Sequence, residues 1–254
     1  MSDVKIAFRV IAVRERQNLV EDLLQKIDEP ESSVFWDEEH NGCMWNALRA
    51  WKSYKNLPEG TTHLCIMADD ADVVNDFKAA VQKCVEHFPE CIWTFANYPQ
   101  IKGSDRGRFT PYMKIWNKQV RGICYLMPVN LIQGWLDFYE KYLSGVKGWN
   151  HDQVTTSLYA LINDIDVMMP IPNLVVGKDV LSVIKGHTRL NRNRDMSCWF
   201  GRDIDLRQFN TSEFVTSKSR GMFEFHLWND EEVLLLAKKK IEKMKKIEKI
   251  FGRN

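Results

Sequence analysis

Three aspartates, Asp69, Asp70 and Asp72, fall within four residues, directly after the apolar run His63-Leu64-Cys65-Ile66-Met67. Such a run reads as a buried strand, and open α/β sheets bind ligands beyond the carboxyl ends of their strands. Carboxylates crowded together there repel one another and resist desolvation. A divalent cation relieves both problems, and hard oxygen ligands with open positions suit Mg²⁺ or Mn²⁺ bridging a diphosphate. The plainer reading makes Asp72 a helix N-cap and leaves Asp69 and Asp70 as solvated loop residues. Position at a strand end favours the metal.

The elements that must position these residues follow from periodicity. Val4–Val13 is rich in β-branched residues and predicts a buried first strand. Leu19, Val20, Leu23, Leu24 and Ile27 recur at helical spacing, and Ser33–Trp36 predicts a second strand. A helix over Cys43–Tyr54, the His63–Met67 strand, a helix over Asn75–His87 and a strand over Cys91–Ala96 continue the pattern. That β-α-β-α-β-α-β order predicts an α/β, Rossmann-like, mainly parallel sheet flanked by helices. Gly122–Met127 predicts a further strand, and Val129–Leu143 and Asp152–Asn163 predict helices; Leu174–Val176 is a short apolar run. Leu234, Ala237, Ile241, Met244, Ile247 and Phe251 lie on one stripe of a lysine-rich C-terminal helix. The expected organisation is a domain over residues 1–229 followed by this helix at 230–254.

The run around Asp69–Asp72 resembles the Asp-x-Asp motif of GT-A-fold glycosyltransferases, which contacts the donor ribose and holds the metal on the donor diphosphate. The resemblance implies that Asp70 and Asp72 are the metal and donor candidates, with Asp69 sharing the donor side. A second register makes Asp69-Asp70 the pair, and the sequence leaves both open. By the same resemblance, Arg14 and Arg16 in the loop after the first strand meet the nucleotide, through phosphate or by stacking. Trp36 and Asp37 fall at the nucleobase position. Gly42-Cys43-Met44-Trp45-Asn46-Ala47-Leu48-Arg49 looks like the segment preceding the Asp-x-Asp strand in such families, with Asn46 and Arg49 as the matching residues. Trp149-Asn150-His151-Asp152 resembles the later acidic motif. It implies Asp152 as the base or acceptor-orienting group, assisted by His151; an N-cap role for Asp152 is compatible with that. The third metal ligand of such enzymes is usually histidine, but Val176-Gly177-Lys178 stands in its place here. His187, or failing it Asp179, is the substitute. The implied donor is a nucleotide-sugar, a UDP-sugar by the position of Trp36 and Asp37.

The acceptor is read from charge and aromatics. Lys102, Arg106 and Arg108 sit beside Phe109 and Tyr112, and His187, Arg189, Arg192 and Arg194 precede Trp199 and Phe200. Interleaved basic and aromatic residues suit phosphate contact and base stacking. The pattern also resembles small virus-encoded enzymes that glycosylate hydroxymethylated pyrimidines in DNA, and the base J glucosyltransferase group. The expected acceptor is therefore a hydroxymethylated or already glycosylated pyrimidine in double-stranded phage DNA. The competing readings are a glycosyltransferase of a cell-envelope saccharide, a non-enzymatic DNA-binding protein and a nucleotidyltransferase. A glycine-rich phosphate loop, which would favour the last, is absent.

Global composition narrows the classes. The 254 residues carry a formal net charge of +1, so any electrostatic partner must be met by local patches. The six cysteines form no C-x-x-C pair, which argues against a zinc ribbon and for a reducing cytoplasm. No apolar stretch has the length of a membrane span, and Arg9 and Arg14 break the first apolar run, so no signal peptide is expected.

Overall fold

Ile6–Ala12 holds β-branched and aromatic residues with no turn former among them, and it forms the strand β1, on which the first half of the sheet is built. The computed structural model describes residues 3–96, 111–115, 118–146, 151–178, 180 and 201–216. After β1 come α1 (Gln17–Ile27), β2 (Val34–Trp36), α2 (Cys43–Lys52), β3 (His63–Ala68), β4 (Ala71–Val73), α3 (Phe77–His87) and β5 (Ile92–Thr94). Then follow β6 (Tyr112–Lys114), β7 (Cys124–Pro128), α4 (Val129–Tyr142), α5 (Asp152–Ile162), β8 (Val167–Pro170), β9 (Val175–Gly177) and β10 (Phe214–Thr216). Among the described residues no helix is long and apolar enough to cross a membrane.

The chain has an α/β fold. Among the described residues, eight strands form one sheet in the order β2-β1-β3-β7-β5-β8-β6-β10, and β4 pairs with β9 in a separate two-stranded sheet. β1 is parallel to β2 and β3, as the strand-helix-strand order predicts. The sheet is mixed rather than simply parallel: β7 is antiparallel to both β3 and β5, and β6 is antiparallel to β8. β3 and β5 are therefore not neighbours. An antiparallel strand needs no crossover helix, so β7 takes the slot between them after the chain has already passed through β5.

Helices cover both faces. On β3, Leu64 and Ile66 join a core with α2, α4 and α5, centred on Trp51, Tyr125 and Trp135. Cys65 and Met67 point the other way, into a core with α1 and α3 that includes Leu23, Phe77 and Trp93. This alternation is the two-residue period of a strand buried on both faces. Aromatic pairs hold the first core, with Trp51 rings 5.6 Å from Tyr125 and 5.8 Å from Trp135.

Two expectations change here. Asp69–Asp72 is not simply a loop: Ala71–Val73 is β4, paired antiparallel with Val175–Gly177 so that Asp72 lies opposite Val176. Tyr112, expected among base-stacking aromatics, is a fully buried core residue whose hydroxyl donates to the Phe209 carbonyl at 3.0 Å. The partners proposed beside it (Lys102, Arg106, Arg108 and Phe109) lie outside the described residues, as do Trp149, Asn150, Asp179, His187 to Phe200 and the C-terminal helix.

Candidate active site

The ends of β1, β2 and β3 lie at one edge of the sheet, and the starts of α2 and α5 face that edge. Gly42 precedes α2 with φ 107, a backbone state that glycine adopts without strain. It turns the chain so that Cys43 opens the helix. Asp152 opens α5, and the Cys43 thiol lies 3.5 Å from Asp152 Oδ1, within donating reach. Thus two helix N-termini meet beside the acidic end of β3.

Asp69 and Asp70 follow β3 and are both buried, at 6% and 8% exposure. The guanidinium of Arg16 donates to Asp69 Oδ1 at 2.6 Å and lies 3.6 Å from Asp70 Oδ2. The Val13 N–H donates to Asp69 Oδ2 at 3.2 Å, so the loop after β1 is tied to the end of β3. Burial nevertheless pushes the Asp69 carboxyl above its usual range, outweighing the Arg16 ion pair. The guanidinium of Arg16 thus faces two buried carboxylates at the end of β3.

Asp152 is more deeply enclosed. Its Oδ2 accepts from the Tyr125 hydroxyl at 2.7 Å, and that hydroxyl accepts from the Trp51 indole at 3.3 Å. Burial raises the Asp152 carboxyl, and the Tyr125 bond is the chief opposing effect. Burial likewise raises the Cys43 thiol, helped by the negative charges of Asp152, Asp69 and Asp70. Cys43 thus senses all three carboxylates. His151 stands just before α5, and its carbonyl accepts from the Thr155 backbone and hydroxyl.

Asp72 is placed differently. Its carboxylate pairs with Lys26 at 3.0 Å and Arg202 at 2.9 Å, and Asp22 joins the same network through Lys26 and Lys178. Burial pushes the Asp72 carboxyl up, but the bonds from Arg202 and Lys26 outweigh it and hold the group below its usual range. The hydrogen bonds of Lys178 and Lys26 hold Asp22 down at about 2.

The donor-side residues divide into two kinds. Arg14 stacks on Trp36, with its guanidinium carbon 4.1 Å from the ring centroid, and pairs with Glu38 at 2.8 Å. This stack is open to solvent at the ends of β1 and β2. Asp37 and Asn46 instead build the scaffold. The Asp37 carboxylate accepts from the Asn41 and Gly42 backbone N–H groups at 2.9 and 2.8 Å, which shapes the turn into α2. The buried Asn46 amide donates to the Ala12 and Phe35 carbonyls, clamping β1 to β2. Arg49 donates to the Trp36 carbonyl at 2.8 Å and lies over the Trp45 ring at 4.5 Å.

The structure therefore brings Arg16, Asp69, Asp70 and Asp152 to one edge, with Arg14 and Trp36 alongside, and turns Asp72 to a separate ion network. Sequence reasoning missed Tyr125 and Cys43. A tyrosine inside an apolar strand must find a hydroxyl partner, and that requirement was the available signal. No family model and no curated protein matches the chain.

Proposed function

We propose that this chain is a GT-A-like, metal-dependent glycosyltransferase. It moves a sugar from a nucleotide-sugar, a UDP-sugar by our reading, to a pyrimidine hydroxyl in phage DNA within the host cytoplasm. One observation carries the reading: two adjacent buried carboxylates end a central strand, and a third buried carboxylate opens a helix that faces the same edge.

The residues suit a divalent ion of a particular kind. Among the described residues no group of three or more His, Cys, Asp or Glu side chains is arranged to hold a metal. Mg²⁺ and Mn²⁺ bound with a nucleotide commonly take only one or two protein carboxylates, and phosphate oxygens and water complete the shell. Asp69 and Asp70 would be that pair, in the second of the two registers open in the sequence: they share the guanidinium of Arg16, whereas Asp72 alone meets two cations, Lys26 and Arg202. A bound ion would supply Lewis-acid stabilisation to the departing diphosphate.

The chain's own groups do the rest. Trp36 and Arg14 offer a flat, cationic stack for the base, and Arg16, which contacts the acidic pair, would meet the incoming phosphate. Asp152 binds the acceptor hydroxyl. In transfer, the bond from the sugar anomeric carbon to the diphosphate oxygen breaks and the bond to the acceptor oxygen forms. The leaving diphosphate keeps the electron pair, and Asp152 receives the hydroxyl proton. Its raised carboxyl makes it a better proton acceptor than a solvated aspartate.

The test is thermal stability against a panel of nucleoside diphosphates, with Mn²⁺ or with chelator. A ligand at a hundred times its Kd adds about 2.7 kcal/mol, or roughly 5–10 °C for a chain of this size. UDP should give such a shift with Mn²⁺ and not with chelator. An unchanged melting temperature with every nucleotide would sink the proposal.

A further inference from the structure

The face of α2 turned away from the core carries the donor-side candidate Arg49 among residues that the donor chemistry leaves unused. Trp45, Arg49 and Lys52 follow one another at helical spacing and are all exposed, and Lys55 continues the row in the following turn. Trp45 is 40% exposed, one of two large apolar side chains so open among the described residues. Arg49 stacks on it from the next turn of the helix. Residues 41–58 contain no aspartate or glutamate. The row starts on the first turn of α2, on the side of the helix away from Cys43, whose thiol reaches Asp152.

We propose that this exposed face of α2 is the track for a nucleic-acid acceptor, with Trp45 stacking on an unpaired base and Arg49, Lys52 and Lys55 following the phosphates. As an acceptor track it rests on the glycosyltransferase reading. A row of cations beginning with an exposed indole is the chemistry of a polyanion that also presents flat faces. A saccharide or a bilayer lacks one of those two features. Base chemistry within a duplex requires the base to leave the stack, and an exposed indole on the first turn of α2 would hold a base in that state. Asp137 and Glu140 on α4 line the far wall of a groove bordered by Lys52 and Lys55. No ion pair ties either lysine to them among the described residues.

The test is fluorescence anisotropy with labelled duplex DNA, either fully paired or carrying one unpaired base, over a range of salt concentrations. The duplex with the unpaired base should bind more tightly. Trp45→Ala should erase that preference and weaken binding roughly 5- to 150-fold, the scale of one base–aromatic stack. Lys52→Gln/Lys55→Gln should reduce the log–log salt slope by about 2, the contribution of two phosphate contacts. Both variants should keep the wild-type response to UDP and Mn²⁺, since Trp45, Lys52 and Lys55 are not among the donor-side residues. Three results would overturn the proposal: no DNA binding by the wild type at low salt, equal affinity for the two duplexes, or unchanged binding by both variants. A wild type that fails on DNA yet responds to UDP would retire this face and leave the donor chemistry intact. The reverse result would leave a DNA-binding face without the transfer chemistry.

Discussion

Replacing Tyr125 by phenylalanine removes one oxygen from the middle of a buried chain of hydrogen bonds. The ring remains, so its packing against Trp51 at 5.6 Å is kept. Two bonds are lost: the one to Asp152 Oδ2 at 2.7 Å and the one from the Trp51 indole at 3.3 Å. A bond to an ionised group contributes about 1.5–3 kcal/mol, and a buried donor left without a partner costs about 1–3 kcal/mol. The expected loss at mildly alkaline pH is about 3 kcal/mol, a fall of roughly 6–12 °C in melting temperature. The pH dependence identifies the cause. Burial raises the folded-state pKa of Asp152, so the fold is favoured while the acid is neutral and loses that advantage as pH rises through the raised pKa. Without Tyr125 the ionised form loses its strongest donor, so the gap between variant and wild type must widen with rising pH. Urea unfolding of both proteins between about pH 5 and about pH 8 measures this directly. A gap below about 0.5 kcal/mol, or one that stays constant across the range, would refute the bond to an ionised Asp152.

Three further predictions concern the carboxylates. Asp70→Asn should abolish the Mn²⁺-dependent shift with UDP. Asp72→Asn should keep that shift and lower stability by about 1 kcal/mol, because its partners Lys26 and Arg202 are only partly screened from water; the opposite outcome would restore Asp72 as a ligand. Asp152→Asn should lose transfer activity, while its stability relative to wild type improves as pH rises from about 4, since burial then no longer opposes a charge. Chemical denaturation at several pH values reads this trend, and a flat difference would contradict it.

The sequence was most legible where a single residue pattern decides the structure. β3 is apolar from Leu64 to Ala68 and is followed at once by acids, so both the strand and its chemical end could be read directly. β4 could not be, because three residues with an aspartate in the middle have no strand signature. They pair with β9, about a hundred residues later in the chain. The slot taken by β7 is equally nonlocal, since strand order depends on pairings that periodicity does not encode. In the site, Arg16, Asp69, Asp70 and Asp152 do gather at one edge. Asp37 and Asn46 look the same in sequence, as polar residues at a strand end and a helix start, yet they serve backbone groups. Which polar group faces a backbone amide and which faces an open site is decided by the fold around it.

The placement of β7 also sets an order of assembly on the ribosome. Strands β1, β2 and β3 can pair once Ala68 has been made, but the second edge of β3 waits for Cys124–Pro128. The intervening segment is residues 69–123. At about 5–20 residues per second, that leaves a bare apolar edge for roughly 3–11 seconds. A nascent chain in that condition is open to pairing with a neighbour on the same message. Asp69 and Asp70 end that edge with two charges, the kind of residue that discourages such pairing. The acids proposed for catalysis would thus also guard the chain during its own synthesis.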